Sequence, residues 1–235
     1  MNNYQNASTL SQSMKFVKEP TDCHLTKHCV IYIPGLQGTY LDLLNYKNII
    51  ENSAENILSI MPKQNRIHNS PISDQAECIL DEIMKQIGPL SQIGKISFVS
   101  YSLGCIITRA LIELDRFKIY LPKLHTFLNL NKFKNLILIS SQQDQIVPSH
   151  SARIEMCKGA YSKSTTGLVY QNMIRNIFEK LSSSEINIVR YEIFFSEFDL
   201  QNHSSFLMKG KAAHLAVLDF RFVQRLIRSH LLQYF

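Results

Sequence analysis

Hydrophobic positions change period several times along this chain, and each change marks an element. Cys29-Val30-Ile31-Tyr32-Ile33 is an unbroken β-branched run that stops at Pro34-Gly35, which predicts a buried strand running into a turn. Leu41 to Glu51 then reads as a helix and Ile57 to Met61 as a short strand, followed by a polar loop over 62–72 with Pro62 and Pro71. Ala76, Ile79, Leu80, Ile83, Met84 and Ile87 recur at helical spacing. Ser73 is the expected N-cap of that helix, and Asp74 and Glu77 suit the positive end of its dipole. Lys95 to Val99 reads as a strand that passes through Ser100-Tyr101-Ser102-Leu103-Gly104 into a helix reaching about Phe117. Leu124–Leu130, Leu136–Ile139 and Ile186–Phe195 are expected strands. Leu168–Leu181, with Val169, Met173, Ile177 and Leu181 four residues apart, and Phe220–Tyr234 are expected helices. Strands alternating with helices predict an α/β protein with a mostly parallel sheet.

Composition narrows the picture. A chain of 235 residues with 45% hydrophobic and 19% charged residues has the makings of one globular domain. Residues 1–27 read as a polar tail and 28–235 as the domain. Met1–Lys15 has no apolar core, so no secretory signal is expected there, and no run approaches the roughly 20 apolar residues of a membrane-spanning helix. Cys23, Cys29, Cys78, Cys105 and Cys157 are odd in number and scattered, which argues against zinc or a disulfide framework and for a reduced, cytoplasmic setting. No metal or organic cofactor is expected. The net charge of +6 is spread along the chain without interleaved aromatics. Nucleic acid is therefore not an expected partner, whereas peripheral contact with an anionic membrane is compatible.

The chemistry centres on Ser102. A serine where a strand turns directly into a helix, with small residues two before and two after, is the nucleophile-elbow arrangement. Ser100 and Gly104 supply the small neighbours, and the helix from Leu103 aims its first N–H groups at a developing oxyanion. An N-cap serine on an ordinary βα turn would use the same residues. Asp144 follows the Leu136–Ile139 strand, on the sheet rim that should also carry Ser102, although an aspartate opening a turn before Pro148 has a structural use as well. Two histidines, His203 and His214, follow the last strand, and spacing does not choose between them. His230 lies inside the closing helix and is the poorest candidate. Pro34-Gly35-Leu36-Gln37-Gly38 completes the set: Gly35 and Gly38 permit close backbone approach, and the Leu36 N–H pairs with that of Leu103 as an oxyanion hole. The order Ser, Asp, His favours a serine hydrolase. A non-catalytic interaction protein on the same scaffold is the alternative.

These residues carry a resemblance. From about His28 to about Val223 the chain resembles the serine esterase, or lipase-like, family of α/β-hydrolases, and most resembles the proteins grouped as "family with sequence similarity one hundred and thirty-five". The stretches are His28–Gly38, Lys95–Gly104, Leu124–Leu128, Phe133–Lys158 and Gly210–His214. The resemblance implies carboxylic-ester hydrolysis in cellular lipid metabolism on small-molecule or lipid esters, with Ser102 as nucleophile, Asp144 as acid and His214, not His203, as base. His150 matches a position that is structural or pocket-lining. Pro34 stands where the family has histidine, Ser100 where it has glycine, and Tyr101 where it has histidine. The family also continues past Leu130 through several dozen residues that cover the site, whereas here Asn131 runs into Lys132-Phe133-Lys134-Asn135. A parallel crossover needs a dozen or more residues, so Leu136–Ile139 is expected to take the place beside Lys95–Val99, with an antiparallel hairpin at Asn131-Lys132 as the other arrangement.

Overall fold

Parallel pairing governs every strand in the computed structural model, which describes residues 26–63, 70–120, 130, 133–162, 164–182, 184–196 and 206–235. Strands β1 (Lys27–Ile33), β2 (Ile57–Ile60) and β3 (Ile93–Ser100) form one sheet in the order β2-β1-β3, and β4 (Asn135–Ser140) pairs with β5 (Asn187–Glu192). The central position of β1 explains its unbroken apolar run, since a parallel strand covered on both faces has no solvent side to alternate toward. Cys29 through Ile33 are all fully buried. On one face Cys29, Ile31 and Ile33 pack with α2 (Ile72–Gln86) and α3 (Leu103–Glu113). On the other, Val30 and Tyr32 pack with α1 (Leu44–Ser53) and with the closing segment at Val223 and Ile227.

Register sets the site. Ile33 pairs with Ser100, so β1 and β3 end level and release Pro34-Gly35 and Tyr101-Ser102 side by side. The remaining helices are α4 (Asp115–Tyr120), α5 (Ser149–Ala152), α6 (Thr165–Ser182), α7 (Phe206–Ala216) and α8 (Phe220–Leu226).

Several expectations need correction. The first helix starts as a 3-10 turn over Tyr40–Leu43 before α1. Helix α2 begins at Ile72, and its N-cap is Pro71, whose carbonyl accepts from the N–H groups of Asp74 and Gln75. Ser73 already lies inside the helix because Ile72 packs on the core and draws the start upstream. Val169 and Met173 of α6 face solvent, while Gly167, Ile174 and Leu181 are buried. The closing helix changes to a π turn at Ile227–Leu231. Helix α7 was not expected at all. Expected strand residues 124–129 lie outside the described residues. Among those described, β4 has no hydrogen-bonded ladder to β3 and pairs with β5 instead, so the expected placement beside Lys95–Val99 is not adopted there.

Candidate active site

Strand β3 delivers Ser102 into an unusual conformation. Its backbone angles are φ 54° and ψ −125°, a left-handed φ that non-glycine residues rarely adopt and that surrounding structure must enforce. Tight packing supplies that enforcement. A Cβ on Gly104 would overlap the carbonyl oxygens of Ile33 and Pro34, and one on Gly35 would lie 2.9 Å from Ser102 Cβ. Ser100 is more than a small residue: its hydroxyl lies 2.6 Å from Thr108 Oγ1, which itself donates to the Gly104 carbonyl at 2.8 Å. The Ser100 hydroxyl thus ties the strand end to the first turns of α3.

The loop after β1 folds into a four-residue turn. Gly38 N–H donates to the Gly35 carbonyl at 3.1 Å, and Gln37 takes φ 54°. A Thr39–Asp42 capping box then starts the 3-10 turn. The Leu36 and Leu103 N–H groups have no acceptor among the described residues. Leu103 is the first residue of α3, where no intrahelical acceptor exists.

Asp144, past the end of β4, divides its two oxygens between two tasks. Oδ1 accepts from the N–H groups of Ile146 at 2.8 Å and Val147 at 3.0 Å, closing a turn. Oδ2 accepts from His214 Nδ1 at 2.7 Å. Partial burial opposes ionisation of this carboxyl, but the bonds from His214, Val147 and Ile146 outweigh it and hold the group below the usual carboxylate range. An ionised Asp144 keeps the proton of His214 on Nδ1. Nε2 is therefore the acceptor, and Ser102 Oγ donates to it across 3.1 Å. The His214 and Asp144 side chains are only 11% and 14% exposed, so the pair is shielded from solvent screening.

Three further residues assemble this arrangement in roles that the sequence did not indicate. The Gln143 amide donates to the Phe195 carbonyl at 2.9 Å and accepts from the Phe195 N–H at 2.7 Å, fastening the Asp144 loop to the segment after β5. Gly210, one turn ahead of His214 on α7, lies where a Cβ would meet Gln145 Cβ at 2.6 Å, so α7 lies against the same loop. Tyr101 donates its hydroxyl to the His214 carbonyl at 2.9 Å. Gly210 and Tyr101 lie inside stretches that carry the resemblance, Tyr101 where that family has histidine, but nothing in the sequence marked either as a contact of His214.

The structure thus brings Ser102, Asp144 and His214 together, with Gly35, Gly38, Ser100 and Gly104 around the turn. His203 lies outside the described residues. His230 sits against Tyr191 and His150 against Tyr170. Among the described residues no group of three or more His, Cys, Asp or Glu side chains is placed to hold a metal ion, and no helix is long and apolar enough to cross a membrane. Residues 24–127 match the family described as "Putative serine esterase (DUF676)". The match covers the Leu36 loop and Ser102 and ends before Asp144 and His214.

Proposed function

We propose that this protein is a serine carboxylic-ester hydrolase with an α/β-hydrolase fold, acting on small-molecule or lipid esters in cytoplasmic lipid metabolism. The observation that carries the proposal is the continuous hydrogen-bond chain from Ser102 through His214 to Asp144, with Ser102 at the left-handed angle of an elbow. Ser102 Oγ attacks the acyl carbon while His214 Nε2 takes its proton, and Asp144 stabilises the imidazolium that forms. The Leu36 and Leu103 N–H groups receive the negative charge on the former carbonyl oxygen. His214 returns the proton to the departing alcohol, and water, deprotonated by the same nitrogen, releases the acid from Ser102.

The segments bearing these groups each expose a large apolar side chain: Leu36 at 58%, Ile146 at 56% and Leu215 at 50%. An apolar acyl group suits such a rim. This proposal extends to a kinship with the "family with sequence similarity one hundred and thirty-five" proteins, in which the short junction before β4 takes the place of the family's covering segment. Peripheral contact with anionic lipid falls to α8 and the π turn. There Arg221, Arg225 and Arg228 line a shallow depression with Gln224 and Ser229, and none of the three arginines has an acidic partner among the described residues.

Labelling of the purified protein with a fluorophosphonate tests the chemistry. The parent chain should label and Ser102→Ala should not. An unlabelled, folded parent would establish the inert-scaffold alternative.

A further inference from the structure

Tyr101 stands between the two halves of the site. Its N–H donates to the Ile33 carbonyl at 3.1 Å, which anchors it to the end of β1, and Ser102 follows it directly. Its hydroxyl reaches the His214 carbonyl at 2.9 Å, and the two rings lie 4.9 Å apart between centroids at an interplanar angle of 35°. No other described residue is both covalently next to Ser102 and in contact with both the backbone and the ring of His214.

We infer that Tyr101 is a positioning residue that holds His214 at bonding distance from Ser102. The need for one follows from the topology. Ser102 and His214 are 112 residues apart and sit on different elements, so their 3.1 Å contact depends on how α7 docks. His214 lies in the last turn of α7, where carbonyls have no intrahelical donor. The Leu215 and Ala216 carbonyls accept from the N–H groups of Leu218 and Asp219. The His214 carbonyl takes its donor from Tyr101, so the helix end is fastened to the elbow at the residue that must meet it. The ring contact adds a second restraint. Asp144 fixes one imidazole nitrogen but leaves rotation about that bond, and the tyrosine face limits it. The same face lies close enough to favour the imidazolium when His214 takes the proton. Burial first, and then the nearby Asp144 carboxylate, hold the Tyr101 hydroxyl well above the ordinary tyrosine range, so it remains a neutral donor.

This inference rests on the serine-hydrolase proposal, and the experiment separates the two. The rate constant for fluorophosphonate labelling, normalised to the labelled endpoint, is measured for the parent, Ser102→Ala, Tyr101→Phe, Tyr101→Leu, Tyr46→Phe, His214→Ala and the Tyr101→Phe/His214→Ala double variant. Tyr46 donates to the Val217 carbonyl at 2.9 Å, three residues beyond His214, and gives a matched loss of one hydroxyl bond from the same segment. Tyr101→Phe should label about tenfold more slowly per competent site, as small displacements of reacting groups cost rates of this order, with KM for a soluble ester unchanged. Tyr46→Phe should label at the parental rate, even where it lowers Tm. Combining Tyr101→Phe with His214→Ala should cost nothing beyond His214→Ala alone. Tyr101→Leu, lacking hydroxyl and ring, should be slower than Tyr101→Phe. Parental rates in folded Tyr101→Phe or Tyr101→Leu, or equal slowing in Tyr46→Phe, would overturn the inference while labelling at Ser102 still stood. Undiminished labelling of Ser102→Ala would remove the hydrolase proposal itself.

Discussion

Replacing Asp144 by asparagine isolates what the carboxylate contributes. The amide oxygen can still accept from Ile146 and Val147, which now bond at 2.8 and 3.0 Å, so the turn should survive. The other end becomes an NH2 group facing His214 Nδ1, where two donors oppose each other. Relief requires the imidazole to move its proton to Nε2, and Ser102 then loses its proton acceptor. The imidazolium of the transition state also loses its partner at 2.7 Å. For a charge pair about 4 Å between centres at an effective dielectric near 20, that attraction is about 4 kcal/mol. At about 1.4 kcal/mol per factor of ten this alone removes roughly 10³ of the rate, and the wrong tautomer raises the loss toward about 10⁴. The assay is kcat on p-nitrophenyl butyrate, with urea unfolding as the stability control. Stability should fall by about 1.5–3 kcal/mol at neutral pH, the worth of one hydrogen bond to a charged group. Its pH dependence has a defined sign. The Asp144 carboxyl is depressed in the folded state, so its stabilisation is present above the unfolded value near 3.9 and disappears as pH falls through the folded one. Asp144→Asn should therefore narrow its deficit against the parent in strong acid. A variant within tenfold of the parent, alongside an inactive Ser102→Ala, would refute the orienting role.

Other outcomes follow from the same geometry. Ser102→Ala and His214→Ala should each remove about 10⁴–10⁶ of kcat and together no more than either alone, because they act as a unit; His203→Ala should retain activity in the same assay. Gly104→Ala drives a methyl into the Ile33 and Pro34 carbonyls and should cost about 3 kcal/mol or more, read as a lower urea midpoint. Arg221, Arg225 and Arg228 changed together to glutamate should abolish sedimentation with phosphatidylserine-containing vesicles and leave ester hydrolysis unchanged; binding that survives the change would remove this face as the contact. The proposed lack of the family's covering segment would admit water to the site, so turnover should favour short, soluble esters over long-chain ones, and a chain-length series decides it.

What the sequence by itself determined lies in local chemistry. The β1 run, the α2 stripe and the strand-to-helix passage at Ser102 are legible because period and turn residues act over a few positions. The strain at Ser102 was equally legible from the small residues around it, but the steric reason for Gly104, the Ile33 and Pro34 carbonyls at the end of the neighbouring strand, came only from the tertiary structure. For Asp144 the two local uses, turn and acid, looked like alternatives, yet a carboxylate has two oxygens and the structure assigns one to each. Whether His203 or His214 completes the set was beyond spacing, because that choice depends on how α7 docks. Helix α7 itself lacks a clear apolar stripe; among its residues of described burial the buried ones are Gly210, Ala213 and His214, which hydrophobic patterning does not register. The Gln143 clamp, the Tyr101 bond to His214 and the pairing of β4 with β5 depend on groups tens of residues apart. Such contacts leave no mark in local period or propensity, so only the tertiary structure decides them.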